Sequence, residues 1–95
     1  MMAAYWIAHV TVTDPEVYRG YQALAPAAFA RFGARFLARG GDSEVLEGPQ
    51  ATRHVVIEFP DLASARACYH SDEYRAARAA RSGAAEVAVV IVEGL

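Results

Sequence analysis

Lysine is missing from this chain, cysteine occurs once, and no apolar run approaches the length of a membrane span. Each gap closes off a class of function. The nine basic residues are all arginines spread along the chain, and the net charge is −2, so nucleic acid meets no basic surface and is not an expected partner. Cys68 has no second cysteine for an internal disulfide, and without a C-x-x-C pair there is no zinc signature; a reducing, cytoplasmic setting is expected. The apolar run from Val87 to Val92 is far short of the ~20 residues a span needs, and no basic stretch precedes an apolar one at the N-terminus, so neither membrane insertion nor export is expected. His54 and His70 lack metal-ligand spacing, and no metal or cofactor is expected.

What remains is globular: 55% of the residues are hydrophobic and 21% charged. A chain of 95 residues is one domain, 1–95, burying roughly 60 to 65% of its unfolded surface. Tyr5 to Val12 is rich in aromatic and β-branched residues and reads as a strand. It stops at Thr13-Asp14-Pro15-Glu16, where Thr13 and Glu16 form a capping box and the acidic residues face the positive end of a helix dipole. Val17, Tyr21, Leu24, Ala28 and Phe32 recur at helical spacing, a stripe interrupted by Pro26, which predicts a kink or a split. Gly33 ends the helix. Ala34 to Arg39 reads as a second strand running into Gly40-Gly41, where a turn or bulge belongs, and Glu44 to Gly48 could extend it or form an edge piece. Arg53 to Phe59 is a third strand. Asp61 caps a second helix carrying Leu62, Ala65 and Tyr69, Ser71-Asp72-Glu73 restarts it with Tyr74, Ala77 and Arg81, and Glu86 to Glu93 is the last strand. The order βαββαβ predicts an α+β, ferredoxin-like domain: a four-stranded antiparallel sheet with its helices on one face.

Alternation sorts the strands into two faces. Trp6, Ala8, Val10, Val12, Phe36, Ala38, Val55, Ile57, Phe59, Val87, Val89 and Ile91 form a nearly pure apolar set that suits the helices. The opposite set mixes Ile7, Leu37, Val56, Val90 and Val92 with His9, Arg35, Arg39, His54 and Glu58. Five large apolar side chains on a face that ought to be wet imply a covering partner, and a second copy of the chain is the expected one. Arg39 and Glu58, enclosed by that copy, would have to pair with each other, with another charge or with a ligand. His9 reads either as a hydrogen-bonded structural residue or as a proton-transfer group. Cys68 reads as a small buried hydrophobe.

Taken in order, Tyr5-Trp6-Ile7, Asp14-Pro15-Glu16-x-Tyr18, Phe36-Leu37-Ala38-Arg39-Gly40-Gly41, Glu47-Gly48, Val56-Ile57-Glu58-Phe59-Pro60, Ser71-Asp72-Glu73-Tyr74 and Val92-Glu93-Gly94 resemble the DUF1330 family along essentially the whole chain. The resemblance implies a dimeric α+β barrel, in which two ferredoxin-like sheets face one another. It also implies that Arg39, Glu58, Tyr74 and Arg81 are recurrent polar positions; His9 rests on the face argument alone. Ser-Asp-Glu-Tyr departs from the commoner Ser-Pro-Glu-Tyr at a helix start. The expectation is a homodimer whose barrel cavity binds a small anionic or carbonyl-bearing molecule through Arg39, Tyr74 and Arg81, with His9 or Glu58 available for proton transfer of an isomerase-like or monooxygenase-like kind. The alternative is a structural or regulatory dimer whose charges only organise the interface.

Overall fold

Strand β1 (Ala4–Val12) alternates small or aromatic residues on one side with mixed residues on the other, and it occupies an inner position of a four-stranded antiparallel sheet of order β2-β3-β1-β4. Its neighbours are β3 (Arg53–Phe59) and β4 (Ala85–Glu93); β2 (Arg35–Arg39) pairs with β3 at one edge. Helices α1 (Pro15–Arg31), α2 (Leu62–His70) and α3 (Asp72–Ala80) supply the covering layer. This is the expected ferredoxin-like α+β architecture, seen in a computed structural model that describes residues 2–95. Among these residues no helix is long and apolar enough to cross a membrane.

The helix starts follow local hydrogen-bonding chemistry. Asp14, not Thr13, is the N-cap of α1: its Oδ1 accepts from the Val17 N–H at 3.3 Å, and Pro15, which has no N–H to satisfy, opens the helix. Asp61 caps α2 by accepting from the Ser64 N–H at 2.7 Å, and that bond holds its carboxyl below the usual range. Ser71 serves two helices. Its hydroxyl donates to the Cys68 carbonyl at 2.7 Å, closing α2, and accepts from the Tyr74 N–H at 3.1 Å, opening α3. The Arg31 guanidinium, hydrogen-bonded to Glu73, lowers that carboxyl's pKa and ties the end of α1 to the start of α3.

Three expectations for the second layer and for β2 are corrected. Of the kink or split expected at Pro26, the split does not occur, since α1 runs on unbroken to Arg31. The buried stripe of α1 is Tyr18, Ala25, Ala28 and Phe29, while Val17 and Leu24 are exposed at 43% and 45%. Small alanines carry the close approach of α1 to its neighbours, so the large residues do not mark the inner face. Finally, the irregularity in β2 precedes the glycines: Leu37 and Ala38 together oppose Val56, a β-bulge, and residues 44–48 form no strand. Gly40 follows at φ +71 with its backbone against the Arg53 guanidinium, where an added Cβ would collide.

The core lies between sheet and helices. Trp6 is its centre, ringed by Phe29, Phe59, Tyr69 and Tyr74 at centroid distances of 5.0 to 5.8 Å. Cys68 is buried there with its Sγ 3.8 Å from the Ala28 carbonyl, and burial, assisted by the Glu73 charge, pushes its thiol up to about 12. Alkylation of native protein by iodoacetamide at pH 8 is therefore expected to be on the order of a thousandfold slower than that of the unfolded chain. Equal rates in the two states would contradict the placement of Cys68.

Candidate functional site

The bulge decides where the site is. Strict alternation puts Arg39 on the open face beside His9 and Glu58, but the extra residue in β2 turns it to the helix side, where it pairs with Val55 and its guanidinium lies 4.3 Å from the centroid of the Phe36 ring. There Arg39, Arg53 and Arg81 border a small cavity of about 60 Å³ enclosed by Trp6, α1 and the sheet. Tyr18, Tyr21, Gln22 and Tyr74 complete its polar lining. No carboxylate and no histidine lines it.

Each of these groups has an identifiable support. Tyr74, 1% exposed, is set by the Ser71 cap, and its hydroxyl lies 2.7 Å from that of Tyr21. Burial pushes the Tyr21 hydroxyl far above the ordinary phenol range, and the neighbouring Tyr74 adds to it. Burial also raises Tyr74 and Tyr18, against the pull of Arg81 on both and of Arg53 on Tyr18. All three therefore stay neutral, available as hydrogen-bond donors rather than as bases. Arg81, just past α3, places its guanidinium 5.1 Å from the Tyr21 ring centroid, and its Nε is buried without a partner. The result is a neutral donor pair flanked by cations, suited to an oxygen anion.

The open face is chemically separate. His9 and His54 stand opposite one another in the β1–β3 register, with their Nδ1 atoms 2.8 Å apart. They sit in a groove of about 780 Å³ beneath residues 43–51, with Glu44, Glu47 and Glu86 on its walls. Glu58 is bridged by Arg35 at 2.9 Å, not by Arg39. Leu37, Val90 and Val92 are about half exposed on this side at 49%, 52% and 47%. The apolar open face is thus as the alternation predicts, whereas Arg39, Tyr74 and Arg81 share a site that excludes His9 and Glu58 by the thickness of the sheet.

A model of the family described as a domain of unknown function, DUF1330, matches residues 3–95. The chain belongs to the DUF1330 family. No curated protein matches it. Among solved structures, a protein of unknown function from Rhodopseudomonas palustris is similar to this DUF1330 chain with a TM-score of 0.79 and 19% identity, over 99% of this chain and 83% of that one. A dimeric ferredoxin-like protein of unknown function from Thermobifida fusca has a TM-score of 0.62 and 20% identity, covering 98% and 92% of the two chains. SnoaB, a cofactor-independent oxygenase from Streptomyces nogalater, has a TM-score of 0.66 and 15% identity, covering 100% and 95%. At these identities the likeness is one of fold.

Arg53, Tyr18 and Tyr21 line this candidate site although the sequence pattern does not mark them as site residues. Arg53 carried a readable signal: it lies in phase with Val55, Ile57 and Phe59, a charge in an otherwise apolar series. The tyrosines of α1 carried none that separates them from core, because a tyrosine at helical spacing is buried in either role.

Proposed function

We propose that this DUF1330 chain forms a homodimer in which each copy binds a small carboxylate or enolate in the cavity between α1 and the sheet. Arg39, Arg53 and Arg81 neutralise the anion, and the Tyr21–Tyr74 pair donates to its oxygen. The observation that carries this reading is the convergence of three guanidiniums and a neutral phenol pair on one cavity without a carboxylate on its lining. With no base in the lining, any reaction here depends on the stabilisation of an anion the substrate itself supplies, which is chemistry of the cofactor-independent oxygenase kind; an isomerisation would need a proton acceptor that this lining lacks. His9 and Glu58 take no part in it. The dimer half of the proposal is supported by the apolar open face and by the dimeric state named for the T. fusca relative.

Titration with acetoacetate, followed by amide NMR shifts, tests the binding. Acetoacetate is expected to shift residues lining the cavity, and neutral 2-pentanone is expected not to. Arg39 is exposed, so Arg39→Ala should fold normally while weakening acetoacetate binding roughly tenfold to a hundredfold, the worth of a charge-assisted hydrogen bond. An unchanged affinity in the folded variant would remove the cavity from consideration.

A further inference from the structure

Arg81, Val87 and Val89 line the inner cavity on one side and, on the other, a larger groove of about 690 Å³ that runs along β4 beneath α2 and α3. The two spaces share a wall, and they differ in kind. The floor of the groove is apolar, formed by Ala85, Val87, Val89 and Ile91. Its rim is cationic: Arg66, Arg75, Arg78 and Arg81 border it, four of the nine arginines in a chain of net charge −2, and no Asp or Glu lines it. These guanidiniums are poorly satisfied within the chain. Arg78 stacks over the Tyr69 ring at 4.4 Å and donates to its hydroxyl at 3.1 Å, yet its Nε is buried without a partner, as is that of Arg81. Arg66 has no ion-pair partner among the described residues, and Arg75 has two long, exposed contacts, Asp72 at 3.4 Å and the His70 carbonyl at 3.4 Å. The inner cavity alone is far below the roughly 300 to 1,000 Å³ of ordinary ligand pockets, whereas the groove falls within that range.

Building on the inner-cavity reading, we propose that the groove binds the remainder of the same ligand, and that the ligand is an amphipathic anion: a single soluble molecule with an acyl or aryl body lying on β4 and a phosphate, sulfonate or carboxylate held by Arg66, Arg75 and Arg78. Its small oxygen-bearing end passes Arg81 into the cavity. An apolar floor selects for the body by excluding water, and a fence of guanidiniums with no carboxylate on the groove's lining selects for the sign of the charge. A neutral or cationic compound of the same length would leave those guanidiniums unpaired or repelled.

The test uses the full chain and three probes: octyl phosphate, inorganic phosphate and octanol, titrated by calorimetry. Octyl phosphate should bind one per chain, at least tenfold more tightly than either of the others, and should weaken as salt rises. Arg66 and Arg75 are exposed, so the double variant Arg66→Ala/Arg75→Ala should keep its fold and lose at least tenfold in octyl phosphate affinity, while acetoacetate still titrates the inner cavity as in the unmodified protein. The proposal is overturned if octyl phosphate binds no better than inorganic phosphate or octanol, or if the double variant binds it unchanged. Acetoacetate binding separates the two readings. If it persists in the unmodified chain while octyl phosphate fails, the groove proposal alone falls. If acetoacetate itself does not bind, the inner cavity falls too, and with it the placement of the ligand's oxygen-bearing end.

Discussion

Replacing Trp6 with alanine is expected to remove most of the stability of the domain. Trp6 is 1% exposed and touches aromatic rings from α1, β3, α2 and α3, so its loss opens a void where every layer of the fold meets. A buried Trp→Ala change costs about 3 to 5 kcal/mol. A domain of 95 residues has a total of roughly 5 to 14 kcal/mol to lose. The surrounding rings cannot collapse into the space without leaving their own supports, among them the Tyr74 hydroxyl held against Tyr21. Urea unfolding should show the midpoint falling by about 2 M or more, given the slope expected for a small domain. A fall of well under 1 M would mean that the centre of the core has been misjudged.

The second large effect belongs to the open face. Val90, opposite Ile7 in the β1–β4 register and 52% exposed, lies on the side of β4 away from the helices. Val90→Arg should therefore leave the single copy folded. In a two-fold dimer built on this face each substitution occurs twice, because one patch meets its own copy. Two guanidiniums would be taken out of water without partners, at several kcal/mol for each ion. The dissociation constant should rise by at least about a thousandfold, since each 1.4 kcal/mol is worth tenfold. Sedimentation equilibrium at micromolar concentration would read this as a dimer mass for the parent chain and a single-copy mass for the variant. A dimer that survives the change, or a parent chain that is already a single copy, would rule out this face as the interface.

Much of the fold was legible because it is written in local chemistry and in period-two patterning. Asp61 and Ser71 announce helix starts, Gly33 and Gly83 mark helix ends with positive φ, and the alternation of Trp6, Ala8 and Val10 against Ile7 and His9 assigns β1 its two sides. The site was half legible. Arg39, Tyr74 and Arg81 belong together, but the side of the sheet on which they meet depends on a bulge at Leu37 and Ala38, and neither residue has the turn chemistry that would flag it. One unseen residue reverses the phase of everything after it, so Arg39 was read with Glu58, while Arg35, two residues upstream of Leu37, became the true partner of that carboxylate. The His9–His54 contact was hidden for a related reason: it exists only through the register of β1 against β3, which no local pattern prints. In α1 the error was one of size. Ala25 and Ala28 are buried although small, and a stripe drawn through the largest residues drifts around the helix by about one position.

The bare backbone at Gly40 reaches further than its own turn. Arg53 occupies the volume where any other residue would hold its first carbon, so the least conspicuous position in β2's exit governs how much positive charge stands at the cavity mouth. Adding one methyl group there would force the guanidinium of a distant stretch of the chain to shift, and the counter-charge offered to the proposed anion would move without any liganding side chain having been altered.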